Sequence, residues 1–434
     1  TMPDVYAITG KSENAHNETI AYPTLEELLG NMDYCSCDHC NSVLSPAAYL
    51  VELLNFIDLG VIPHEKENPI DALLKRRPDI QHIQLSCENT NMSLPYIDLV
   101  NEILEHYIIH GNLQDLAGHD ISSDITQAAL LAEPHFVEKT VYDELNSRVF
   151  PYNLPFHQPL ETLRRIFKIW NISLEEMLSI FSTPLSSRME ALSMSEREYQ
   201  ALTDVTYKQL PEYFGEAAGS SIAQLNAAVA NGKAFCHRTG ISYNDLTVLL
   251  KTSFINPGSR IIPLFQKLRV SLTDLNQFYN GTLSGETLDS MIPVGISPDE
   301  YEGDIKQWLT RHRDLIMGLI TLTDTVSDSV ECDFSKVELR YALPDNATNQ
   351  LTELAYHKFH RFVRLLHKTG WSIGTLDSVI STLGSVPLET IAIDNIDLFF
   401  VTLINRIANF KKIADHLSYS ERKFPELLLV LNRA

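Results

Sequence analysis

CSCDHCNSVLSPAAYLVELLNFI, residues 35–57, joins a dense cysteine cluster to a sharply started amphipathic helix. Ser45 is a good N-cap, and Pro46 takes the first helical position, where its missing N–H costs nothing. Leu50, Leu53, Leu54 and Ile57 then fall at i, i+3, i+4 and i+7, one apolar helical face. The same 3.6-residue period continues outward. Ile97, Val100, Leu104, Tyr107 and Ile108 make a second such face, and Phe359, Phe362, Val363 and Leu366 a third. Few windows alternate as half-buried strands do. The expected fold is all-α, a large irregular bundle of stacked helix–turn–helix units.

A weak internal repeat supports that reading. WNISLEEML (170–178), GISYNDLTVLL (240–250), LRVSLTDLNQF (268–278), GWSIGTLDSVI (370–380) and HLSYSERKF (416–424) share one pattern. A helix ends, a Ser follows, and four of the five copies place an acid three residues later. Ser173, Ser242, Ser271 and Ser418 are therefore expected to cap helices as Ser45 does, each with its acid in or near a capping box. The separations are unequal, so no fixed-period solenoid is implied. Prolines at 63, 78, 151–159 and 184 separate helices, and residues 1–23 read as a polar, unpatterned arm.

Composition bounds the function. A formal charge of −22 over 434 residues argues against a nucleic-acid partner, because neutralising phosphates needs a basic face. The most apolar stretches, 396–410 and 315–322, are interrupted or too short, since a membrane span needs about 20 mostly apolar residues. The first twenty residues lack the apolar core of a signal peptide. Thr1 before Met2, and an apolar pattern still running at 427–434, suggest a piece of something longer.

The long strings 35–57, 74–108, 150–178 and 357–380 resemble the A subunits of bacterial Tc (toxin complex) toxins and the related Salmonella plasmid virulence A protein. The likeness implies an arm with the cysteine cluster (1–44), a virulence A-like helical region (45–205) and a continuation of a helical shell (206–434). It further implies an outer-shell segment of a homopentameric pore-forming machine, released by a bacterium. B and C subunits would be its partners and would supply a toxic enzyme for delivery into host cells, with host-surface contact by the shell. A free-standing virulence effector and a small metal-dependent enzyme are the competing classes. No cofactor is expected, and no enzyme motif is found: G-x-S-x-G, Walker A, G-x-G-x-x-G and zincin patterns are missing from the sequence.

Three clusters carry potential chemistry. Cys35, Cys37 and Cys40, with Cys87 downstream, could hold zinc, form a disulfide or stay free; C-x-C-x-x-C without a second C-x-x-C pair suits zinc poorly. Glu102, His106 and His110 share a helix face at i, i+4 and i+8, but without H-E-x-x-H they read as a solvated face. His357, His360, Arg361, Arg364, His367 and Lys368 form a cationic stripe opposite Phe359, Phe362 and Leu366. As a plain polar face it would do nothing. As a docking stripe against carboxylates it would tighten when its histidines protonate near pH 6.5.

Overall fold

The computed structural model describes residues 11–13, 19–21, 42–59, 68–76, 80, 96–114, 135–181, 184–324, 336–342 and 349–431. Helices dominate, as the periodicity predicts. The chain divides into two compact units, Thr1–Val141 and Tyr142–Ala434.

In the first unit, β1 (Lys11–Glu13) pairs antiparallel with β2 (Thr19–Ala21), so part of the supposed arm is a small hairpin. Helix α1 (Pro46–Leu59) starts where its sequence says, with the Ala48 N–H donating to Ser45 Oγ at 3.1 Å. Its predicted face is covered only in part: Leu54 and Ile57 are half-buried, while Leu50 and Leu53 stay exposed. After α2 (Pro69–Arg76) comes α3 (Tyr96–His110), whose burial inverts the expectation. Ile97, Leu104, Tyr107 and Ile108 are exposed, whereas Glu102, Glu105 and His106 are buried. The supposed solvated face is thus the packed one. The reason is hydrogen bonding: the Phe136 N–H donates to Glu102 Oε1 at 3.2 Å, and the Glu138 N–H donates to Glu105 Oε2 at 3.0 Å. Buried carboxylates are tolerable when backbone donors satisfy them.

The second unit begins with α4 (Thr140–Ser147), α5 (Gln158–Ile169), α6 (Leu174–Phe181), α7 (Pro184–Ala191) and α8 (Glu196–Thr203). It continues with α9 (Ile222–Val229), α10 (Gly232–Thr239), α11 (Tyr243–Leu249), α12 (Ile262–Leu268), α13 (Leu272–Tyr279), α14 (Gly285–Met291) and α15 (Ile305–Met317). An antiparallel pair follows, β3 (Ile320–Asp324) and β4 (Val337–Tyr341), with Leu322 opposite Leu339. Then come α16 (Glu353–Thr369), α17 (Ile373–Leu383), α18 (Ile396–His416) and α19 (Phe424–Leu431). Among the described residues no helix is long and apolar enough to cross a membrane.

The serine-led turns are mostly as read. Ser242 with Asp245 and Ser271 with Asp274 form capping boxes, and Ser173 Oγ accepts the Glu176 N–H at 3.2 Å. Ser195 with Glu198 and Ser221 with Gln224 form two more that obey the same rule outside the repeat. Ser418 is a correction. It has φ +54°, one residue past the C-cap of α18, so it closes one helix instead of opening the next. Its expected acid, Glu421, instead accepts the N–H of Ser372, the N-cap of α17, at 2.8 Å. The one repeat copy lacking its own acid therefore borrows one from 49 residues away.

Two apolar cores organise this unit. The larger runs from Val149 and Leu202 through Phe254 to Phe399, Phe410 and Phe424; the smaller gathers Phe265, Leu275, Tyr301, Trp308 and Ile316. The larger core includes residues from both sides of 205/206. A methylene anywhere in such an interior would be felt. At Gly258, an added Cβ would lie 2.5 Å from the carbonyl oxygen of Leu315.

Candidate functional site: a buried basic helix

Helix α16 lies at the centre of the larger core. Phe359, Phe362 and Val363 of the predicted face are fully buried and Leu366 is half-buried, and Tyr356, one turn earlier, is fully buried as well. Its opposite side is buried too. Arg361 and His360 are 0% exposed, and His357, Lys358 and Arg364 are also buried. Four of the six residues of the predicted cationic stripe, His357, His360, Arg361 and Arg364, are therefore packed within their own chain and form no exposed docking face, while Lys368 is half-buried and His367 is exposed.

Each cation has an internal partner. Arg361 Nη2 donates to Asp397 Oδ1 at 2.5 Å, Arg361 Nη1 donates to the Ile396 carbonyl at 3.3 Å, and the guanidinium lies 5.1 Å from the Phe400 ring centre. Asp397 also accepts the Val205 N–H at 3.0 Å, which ties α18 to the segment after α8. Arg364 donates to the Leu154 carbonyl at 2.7 Å and to the Val149 carbonyl, and sits over the rings of Tyr152 and Tyr213. A planar fork of donors suits this task, since it can grip two carbonyls at once while its faces meet aromatic rings. Lys368 Nζ donates to Glu198 Oε1 at 2.6 Å. Glu198 is also the box residue that accepts the Ser195 N–H, so one carboxylate serves a cap and an ion pair.

The histidines are held differently. His360 stacks on Tyr213 with ring centres 4.2 Å apart, and the His357 Nδ1 and His360 Nε2 atoms are 3.1 Å apart. Burial pushes His357 down to about 4, Arg361 adds to that effect, and Asp397 opposes it. Burial holds His360 well below the ordinary range, with His357, Arg361 and Arg364 acting the same way. His367 is exposed, and partial desolvation of its ring by the neighbouring protein lowers it, followed by Arg364. Desolvation also lowers Lys358 to about 8. Both arginines are lowered by burial. Neutral imidazoles beside paired guanidiniums describe a structural keystone, and Arg364 joins two of the sequence strings singled out above, 150–178 and 357–380.

A second feature of this unit is α5 with α6. His157 caps α5, its Nδ1 accepting the Leu160 N–H at 3.1 Å, and Arg164 pairs with Glu190 at 2.7 Å. The apolar side remains open: Leu163 and Ile166 are exposed, as are Ile169 at 80% and Trp170 at 64%. Ile180 and Phe181 of α6 are exposed as well.

Of the other candidates, Cys35, Cys37, Cys40 and Cys87 lie outside the described residues. Cys236 is a free, partly buried thiol raised by burial and then by Asp245. Glu175 of α6 pairs with Lys412 of α18.

Over residues 16–215, just under half of its length, the chain matches the family described as Salmonella virulence plasmid 28.1kDa A protein. This stretch is thus similar to a virulence protein family, and it includes the 35–57, 74–108 and 150–178 strings. No curated protein and no solved structure matches the chain.

Proposed function

We propose that the chain is a non-catalytic structural segment of the A subunit of a Tc-type toxin, part of the outer helical shell of a pentameric translocation machine. The observation that supports this best is the match of residues 16–215 to a virulence plasmid A protein family. The open apolar stripe of α5 and α6 agrees with it, because a shell helix that meets a neighbouring subunit must present such a surface. So does the keystone at α16, which holds the second unit together and uses its charged groups for packing. In this reading the partners are further A subunits and the B and C subunits that carry the toxic enzyme, and the assembled shell faces the host cell.

The matched description names a plasmid virulence A protein, which favours a second reading: a free-standing virulence effector that binds a host protein. Mass photometry of the native protein that carries this chain separates the two. The shell reading expects a pentamer that binds B and C subunits. A monomer that ignores them refutes it and leaves the effector.

A further inference from the structure

His106, His110 and Glu138 of the first unit present one ligand atom each, all within 4.8 Å of one another. The two histidines are one helical turn apart on α3, and their ring centres are 4.2 Å apart. Glu138 comes from a segment 28 residues beyond His110 and is brought in by tertiary structure. His110 Nε2 lies 3.2 Å from Glu138 Oε1, and His106 Nδ1 lies 4.0 Å from Glu138 Oε2.

The protonation of His106 decides what this arrangement wants. Its Nε2 is 3.0 Å from the Gln114 carbonyl oxygen. A carbonyl oxygen only accepts, so Nε2 carries the proton, and in a neutral imidazole Nδ1 is then a bare lone pair. Among the described residues that Nδ1 is buried without a hydrogen-bond partner, on a residue only 4% exposed, and it lies 4.0 Å from a carboxylate oxygen of Glu138. Protonating it would not satisfy it, because 4.0 Å is too long for a hydrogen bond to Glu138. Two lone pairs facing each other across that gap are satisfied by a cation between them. The Gln114 carbonyl meanwhile does for His106 what an outer partner does for a metal-bound imidazole, fixing tautomer and ring orientation.

Glu138 is held in place from behind. Its own N–H donates to the buried Glu105, and the Phe136 N–H donates to the buried Glu102. The two carboxylates of α3 thus act as positioning residues for the segment that carries the third ligand. Ligands about 2.0–2.2 Å from a tetrahedral ion stand roughly 3.4 Å apart, so the 3.2 and 4.0 Å separations to Glu138 need sub-ångström movement, and the two imidazole nitrogens, within 4.8 Å of each other, close by a side-chain adjustment of about an ångström.

We propose that His106 Nδ1, His110 Nε2 and a Glu138 carboxylate oxygen bind a divalent transition-metal ion, with water in the fourth position. Two imidazoles and one carboxylate suit Zn²⁺. The ion would fasten α3 to residues 135–138, and His110, which is 45% exposed, leaves the site within reach of solvent. This inference is independent of the shell reading.

The test is calorimetric titration of the whole chain with Zn²⁺ alone, in a background where Cys35, Cys37, Cys40 and Cys87 are Ser, so that thiolates cannot compete. His110→Gln and Glu138→Gln are compared with the parent, and His416→Gln, an exposed site elsewhere, is the control. The expected result is one Zn²⁺ per chain, bound at least about tenfold more weakly by His110→Gln and Glu138→Gln and unchanged by His416→Gln, with far-ultraviolet circular dichroism unaltered. If the serine background fails to fold, Co²⁺ is bound to the parent chain instead, and the absorption of a nitrogen- and oxygen-ligated ion must vanish in His110→Gln. Absence of stoichiometric binding, or a loss below tenfold in His110→Gln, overturns the proposal.

Discussion

Asp397→Asn tests the keystone directly. Arg361 is 0% exposed, so removal of its hydrogen-bonded counter-charge leaves a guanidinium inside the core with the Ile396 carbonyl, the Phe400 ring and the weaker influence of Asp204 and Tyr213. Two unit charges about 4 Å apart interact by roughly 4 kcal/mol at an effective dielectric of 20 and by roughly 1 kcal/mol in water. The Asp397 side chain is 33% exposed, so the pair lies between these limits. Asn keeps one acceptor for either Val205 or Arg361, and the expected loss is about 2–3 kcal/mol, below the ~3–5 kcal/mol of a fully buried broken pair. Arg361→Met alone leaves Asp397 able to reach water and costs less. The double variant should therefore cost clearly less than the sum of the singles, with a coupling of about 1.5 kcal/mol or more, measured by urea melts of the second unit's transition. Additivity within about 0.5 kcal/mol would refute the reasoning, because it would mean that the two charges do not feel each other.

Three further outcomes are expected. Stability should fall as the solution is acidified from about pH 6.5 towards pH 4. The native pKa values of His357 and His360 lie below their unfolded values, so the unfolded chain takes up the extra protons; this is the opposite sign from an exposed stripe that tightens in acid. Glu353, Asp397 and Arg361 face the pair, and a pH series of melts should flatten when His357 and His360 are both Gln; an unchanged slope would exclude them as its source. Ser45→Ala should lower the stability of the first unit by about 0.5–2 kcal/mol through loss of the bond from Ala48, and an unmoved denaturation midpoint would mean the cap contributes nothing. Gly258→Ala should cost about 1–3 kcal/mol by forcing a methyl against the Leu315 carbonyl, whereas a neutral result in thermal melts would show that the turn gives way freely.

The sequence by itself determined the local decisions. Ser45, Ser173, Ser242 and Ser271 start helices because a hydroxyl three residues before an unpaired N–H satisfies it with no help from elsewhere. The apolar face of α16 was legible for the same reason, since a 3.6-residue spacing is a property of one helix. What sequence could not decide was which side of a helix meets another element. Reading α16 as two-faced missed that Arg361 and Arg364 would find Asp397 and the Val149 and Leu154 carbonyls more than thirty residues away. Reading Glu102, His106 and His110 as solvated missed backbone donors at 136 and 138 and the carboxylate of Glu138. Only the tertiary structure settled these positions. A polar group's burial depends on whether a distant partner satisfies it, and nothing within a helical turn carries that information.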